Sequence, residues 1–113
     1  MSMLPSIEKI KCVYISGSIS SRDYNVAKDH FKKVQNNIEN SGVYVYNPME
    51  FNKRDCWEDY MRDALAALVD SDEILMLDGW QSSRGACLER LVAFELNIPI
   101  NYEHEQSWAS SEN

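Results

Sequence analysis

The sequence predicts an α/β domain of three layers, with a parallel sheet of four or five strands between helices. Three observations predict it. Short apolar runs rich in Val, Ile and Tyr alternate with longer segments of helical periodicity, in the order β-α-β-α-β-α-β. The connections are short, so successive strands pair in parallel through right-handed crossovers. A length of 113 residues suits a single domain, 1–113, with one modest core.

Each element has its own warrant. Residues 1–9 read as a loose leader interrupted by Pro5. Ile10 to Ser16 is the first strand, because Val13, Tyr14 and Ile15 are β-formers and Ser16-Gly17-Ser18 supplies turn residues. The segment Ser20-Ser21-Arg22-Asp23 offers N-caps for a helix in which Val26, Ala27, His30, Phe31, Val34 and Ile38 share a face and Ser41-Gly42 makes a stop. Val43 to Tyr46 is a second strand closed by Asn47-Pro48, and Met49 to Asp55 reads as polar loop. Residues 57–70 form a helix with Trp57, Tyr60, Met61, Ala64, Leu65 and Leu68 on one side.

The third strand opens at Asp72 and its apolar run Ile74–Leu77 ends in a turn at Asp78-Gly79. Ser82 or Ser83 caps a helix that begins near Gly85 and runs from Ala86 to Asn97. Ile98 to Ile100 is a fourth strand, and residues 103–113 are a polar tail in which Trp108 is the large apolar group. A flavodoxin-like or Rossmann-like domain is the simplest assembly of these parts. Its sheet is lean, so an edge or helix face is expected to be covered by a second copy, in a homodimer or higher homo-oligomer.

Composition excludes several classes of function. A net charge of −7 with no basic stripe argues against a nucleic-acid polymer as partner, though not against one small anion held by a few local donors. Cys12, Cys56 and Cys87 form no CxxC pair, and His30 and His104 have no ligand spacing with them, so neither a metal nor a cofactor is expected. No signal-peptide pattern or membrane-length apolar run is present, and the cytoplasm is the expected compartment.

Three stretches could carry chemistry. The turn Ser16-Gly17-Ser18-Ile19-Ser20 lets backbone and hydroxyls approach a ligand, or is an ordinary β–α turn; it is neither GxGxxG nor a P-loop. The helix opening Trp57 to Asp63 mixes aromatics with charge, which suits the helix dipole without further function. In Asp78 to Glu89, four-residue spacing puts Glu89 on the face of Gly85, with open space above the carboxylate. The helix N-terminus is expected to favour its ionised form, as a nucleophile requires. Locally, the simpler reading of Glu89 is a capping carboxylate or a partner of Arg90 or Arg62.

Taken together, VYISGSI (13–19), Asn47-Pro48, WEDYMR (57–62), SDEILMLDGW (71–80) and SSRGACLE (82–89) resemble the nucleoside 2-deoxyribosyltransferase superfamily, in particular its small phage-type branch. The resemblance covers roughly residues 12–100. It implies a flavodoxin-like oligomer that cleaves or transfers at the N-glycosidic bond of a 2′-deoxynucleoside or its 5′-monophosphate. Glu89, four residues after Gly85, takes the position of the nucleophile that forms a glycosyl-enzyme ester. Ser83, six residues before it, and the Gly17-Ser18-Ile19 turn are similar to the branch that hydrolyses deoxynucleoside 5′-monophosphates, where serines hold the phosphate. Arg84 or Arg22 would add charge there. Tyr14, with Asp63 or Asp59, would orient the sugar or the nucleophile; Asn47, Asp78 and Trp80 complete the implied substrate site. Trp80 would stack on the base or cover the core.

The chain departs from this family where an aspartate is usual, eight residues before Asp72. Ala64 stands there, with Asp63 adjacent but turned by about 100° on a helix. Ser20-Ser21 also replace the usual Gly-Gly-type extension. A nucleotide-binding or sequestering protein without catalysis, and an interaction module, are the alternative expectations.

Overall fold

The computed structural model describes residues 11–19 and 23–104. The leader 1–9, Ile10, the cap candidates Ser20, Ser21 and Arg22, and residues 105–113 of the tail lie outside the described residues. Four strands, β1 (Cys12–Ser16), β2 (Tyr44–Tyr46), β3 (Glu73–Met76) and β4 (Ile100–Tyr102), alternate with three helices, α1 (Tyr24–Glu39), α2 (Trp57–Val69) and α3 (Arg84–Glu95). All strand pairs are parallel and the spatial order is β2-β1-β3-β4, the flavodoxin-like arrangement. Tyr14 stands opposite both Tyr46 and Ile74, which fixes the register of the three strands at the middle of the sheet.

β1 is buried along its whole length, as a central strand covered on both sides must be. Its alternate residues feed two separate cores. Tyr14 packs with Met61, Ala64 and Leu68 of α2, Ile74 and Met76 of β3, and Ala86 and Ala93 of α3. Ile15 packs with Phe31, Val45 and Leu77 on the α1 side. The result is three layers, with α1 alone on one face and α2 beside α3 on the other.

The sequence places the helices within a few residues. Asp23 is the cap of α1, accepting from the N–H groups of Asn25 and Val26 at 2.8 and 3.2 Å. Ser83 caps α3, accepting from Ala86 N–H at 3.1 Å. α3 stops at Glu95 rather than Asn97, because Asn97 adopts a left-handed backbone with φ of 59°. That turn moves the fourth strand from the expected 98–100 to Ile100–Tyr102, and Glu103 N–H continues the ladder by bonding to Met76 carbonyl at 2.8 Å.

Two short 3₁₀ turns fall where loop was expected. Pro48–Glu50 is nucleated by Asn47, whose side chain accepts from Met49 N–H at 2.9 Å with Pro48 preset for the first turn. Trp80–Ser82 follows Gly79, whose φ of 89° only a glycine adopts without strain. Among the described residues no helix is long and apolar enough to cross a membrane.

Candidate active site

The two-residue period of a strand sends Tyr14 and Ser16 to the same face of the sheet. Glu89 comes down onto them from the buried side of α3. Its Oε2 accepts from the Tyr14 hydroxyl and its Oε1 from Ser16 Oγ, each at 2.6 Å. The carboxyl is 4% exposed, an expensive position for a charge unless such donors meet it. The cluster lies over the β1–β3 pair, where the chain switches from α1 on one face to α3 on the other. Open α/β sheets bind ligands at such a switch, beyond the C-terminal strand ends.

Burial pushes the Glu89 carboxyl up to about 7, against the pull of the hydrogen bonds from Ser16 and Tyr14. This corrects the expectation that the helix N-terminus keeps it ionised. Glu89 is the sixth residue of α3, beyond the first turn in which the end of the helix acts strongly, so desolvation decides. The Tyr14 phenol is held well above its usual range by burial and then by the Glu89 charge, which keeps it a donor. Tyr60 is raised by the same two causes in the same order.

Glu89 is the buried carboxylate in the lining of a cleft of about 430 Å³ between the start of α3, the start of α2 and the loop that precedes α2. That volume is in the range of small-molecule sites. Ser83, Arg84 and Gly85 line it from α3, and Trp57, Tyr60 and Met61 from α2. A Cβ on Gly85 would come within 3.2 Å of Met61 Sδ, so glycine lets the two helices approach there. The space over Gly85 is therefore bounded by Met61 rather than wholly open. The Arg84 guanidinium stacks on the Trp57 ring, 3.8 Å from its centroid. Lys53 and Arg54 add two more cations to the lining.

The structure thus gathers Ser83, Arg84, Gly85 and Glu89 around one cleft, with Tyr14 bonded to Glu89 behind the lining. Asp63 is not among its lining residues. Arg54 Nη1 holds both Asp63 carboxylate oxygens, at 2.8 and 3.0 Å, on the outer side of α2, and Asp59 pairs with Arg62 and Arg54. Ala64, at the position where a carboxylate is usual, is fully buried in the core. Asn47 is buried as a scaffold residue, its Nδ2 donating to Gln35 Oε1 at 3.1 Å. Trp80 packs against the core beside Tyr102, with Arg90 5.1 Å from its centroid, so of its two expected roles the cover is the one formed. Asp78 points elsewhere and pairs with His104. Gly17 and Ser18 are buried and are not among the lining residues; a Cβ on Gly17 would meet Leu77 Cβ and Phe31 Cζ at 3.1 Å.

Sequence reasoning missed four groups. Ser16 was legible, because it stands two residues from Tyr14 at the end of the same strand. Tyr60 carried a weaker signal, one turn beyond Trp57 on the apolar side of α2. Lys53 and Arg54 carried none, because only the path of the loop brings them over α3.

A family model described as "Domain of unknown function (DUF4406)" matches residues 11–102, which hold all four strands and all three helices. The chain belongs to this family. Tyr14, Ser16, Glu89 and the cleft that Glu89 lines all fall within the DUF4406 span. No curated protein matches the chain.

Proposed function

We propose that the protein cleaves, or transfers at, the N-glycosidic bond of a 2′-deoxynucleoside 5′-monophosphate, with Glu89 as nucleophile. A Glu89 oxygen attacks the anomeric carbon, and the glycosidic bonding pair leaves with the base, which takes a proton from water or an acid. Water, or a second base, then displaces the ester and regenerates the carboxylate. Two displacements through an oxocarbenium-like transition state replace one harder substitution. The carboxylate must be ionised to attack, so the rate rises with pH as Glu89 loses its proton near about 7.

The observation that carries this reading is the buried Glu89 carboxyl, gripped by Tyr14 and Ser16 and facing a cleft whose lining includes Lys53, Arg54 and Arg84 beside Asp55. Two hydroxyl donors orient the carboxyl and leave each oxygen a lone pair for attack. Lys53 and Arg84 supply positive charge for a phosphate in a chain that is otherwise acidic. The aromatic ring of Trp57 and the phenol of Tyr60 offer surface for a base or sugar.

A second reading has its own observation. With Ala64 buried in the core and Asp63 committed to Arg54, the carboxylate expected to help position sugar and base is missing from the cleft lining. A protein that binds the nucleotide without cleaving it fits that arrangement. Under either reading we place the protein in the cytoplasm, since no disulfide joins its three cysteines, and assign it a homo-oligomeric state. The outward Leu91, Phe94 and Leu96, each more than half exposed, support a second copy packing on α3.

Incubation of the full chain with a panel of deoxynucleosides and their 5′-monophosphates, followed by chromatography of free base, tests the proposal. Release from monophosphates that disappears in Glu89→Gln is the expected result. Release that persists in the variant removes Glu89 as nucleophile. A thermal shift with monophosphates and no release in either protein selects the binder.

A further inference from the structure

A second polar cluster lies at the C-terminal edge of the sheet, outside the cleft. Asp78 follows β3, Glu103 and His104 follow β4, and His30 reaches across from α1. One ligand atom from each of Asp78, Glu103 and His104 lies within 4.8 Å of the other two. Glu103 is positioned twice over. Its Oε1 accepts from the backbone N–H of Asp78 at 2.9 Å, and its Oε2 is 2.8 Å from His30 Nε2. The Asp78 carboxylate is hydrogen-bonded to His104 Nδ1. Spacing along the chain argued against a metal, because it compared the histidines with the cysteines; folding instead pairs each histidine with a carboxylate.

We propose that Asp78, Glu103 and His104 bind one divalent first-row transition cation, with Zn²⁺ as the representative ion. One imidazole and two carboxylates are a mixed N/O donor set that suits Zn²⁺ and its neighbours better than Mg²⁺ or Ca²⁺. Ligand atoms around a tetrahedral ion with bonds of about 2.0–2.1 Å stand roughly 3.4 Å apart. The triad therefore admits the ion with about an ångström of side-chain movement, in which Asp78 and His104 part from their mutual hydrogen bond. Asp78 and His104, with side chains 50% and 62% exposed, are free to make it, while Glu103 is held in place. Each Glu103 oxygen keeps a second lone pair for the ion after its present hydrogen bond. His30 supports that carboxylate from behind, the usual arrangement for a ligand that must be held in one orientation.

Charge agrees with geometry. Two carboxylates and a neutral imidazole carry two negative charges, which one dication cancels. The three ligands come from the turn after β3 and the end of β4, so the ion would tie an edge strand to the centre of the sheet. Water would complete its coordination from the exposed side.

Calorimetric titration of the full chain carrying Cys56→Ser and Cys87→Ser, which removes the exposed thiols as competing ligands, tests the site with Zn²⁺ and with Mg²⁺. One Zn²⁺ per chain at micromolar affinity is expected, with Mg²⁺ at least about tenfold weaker. Asp78→Asn and His104→Ala should each weaken Zn²⁺ binding by more than about tenfold, and His30→Ala by about tenfold. Saturating Zn²⁺ should raise the melting temperature of the parent and not of His104→Ala. No measurable Zn²⁺ binding, or binding that survives both Asp78→Asn and His104→Ala, would overturn the site and leave two simple ion pairs. Base release is not a readout here, so neither result bears on Glu89.

Discussion

The two faces of β1 use the same strand for opposite purposes. Ile15 enters a wholly apolar cluster with Phe31, Val45 and Leu77 under α1. One residue either side, Tyr14 and Ser16 enter the layer under α2 and α3 and spend their hydroxyls on a buried carboxyl. The core of the α1 face is apolar, with the buried Gln35–Asn47 hydrogen bond at its margin and no buried charge. The α2–α3 face keeps a group that burial disfavours, which is the pattern of a site held by a scaffold rather than of a scaffold itself. The difference can be tested by stability alone, without knowing a substrate.

The largest effect belongs on the dry face. Phe31→Ala removes a fully buried ring and should cost about 3–5 kcal/mol, measured by urea unfolding, by a similar amount at pH 5.5 and pH 8.5. A cost that changed strongly between those two values would mean that the α1 face is coupled to the ionisation of Glu89.

On the other face, Glu89→Gln should do the reverse of an ordinary core substitution. The carboxyl titrates at about 7 when folded and at 4.5 as a free side chain, so the folded state holds the proton more tightly. Its favourable contribution is fully present below pH 4.5 and is lost as pH rises to about 7. Above that, ionised Glu89 costs about 3 kcal/mol relative to the low-pH state. The substituted amide would keep partners for both hydroxyls and carry no charge. The variant should match the parent at pH 4.5 and exceed it by up to about 3 kcal/mol at pH 8.5. Equal stability at both values would mean that the carboxyl is solvated.

Gly17→Ala probes the seam between the faces. The added methyl would meet Leu77 Cβ and Phe31 Cζ at 3.1 Å, so the α1 cluster must shift to admit it. A loss of about 1–3 kcal/mol is expected, of the size usual for overpacking. A neutral outcome would show that the Phe31 ring moves aside and that this core is looser than its burial implies.

Sequence alone reached the fold because each element carried its own signal: apolar runs at β1 and β3, caps at Asp23 and Ser83, a stop after α1. Glu89 and its companions on α3 were legible for the same reason, since helical spacing fixes which residues share a face. What escaped depended on contacts between distant segments. Nothing in the spacing of Asp63 shows that Arg54 holds it on the outer side of α2, and nothing in Lys53 marks it as cleft lining. Trp80 and Asn47 are held by packing and turn geometry, which a large aromatic and an amide beside a strand end serve as readily as they meet a ligand. The degree to which Glu89 is ionised was also misjudged, since helix position is visible in a sequence and desolvation is not.

Tyr14→Phe gives the smallest change and isolates the hydrogen bond from the burial. Phenylalanine keeps the packing against Met61, Ala64 and Leu68 but removes the donor to Glu89 Oε2. That bond favours the ionised carboxyl, so its loss should raise the Glu89 carboxyl further, by about one unit from about 7. The stability cost should then be about 1 kcal/mol larger at pH 8.5 than at pH 5.5, where the carboxyl is protonated in both proteins. If the protein releases base, the rising limb of its pH–rate profile should move up by the same amount. Ser16→Ala should act in the same direction through the other oxygen. An unmoved midpoint in both variants would mean that desolvation alone sets Glu89, and that the hydroxyls on this face of β1 orient the carboxyl without tuning it.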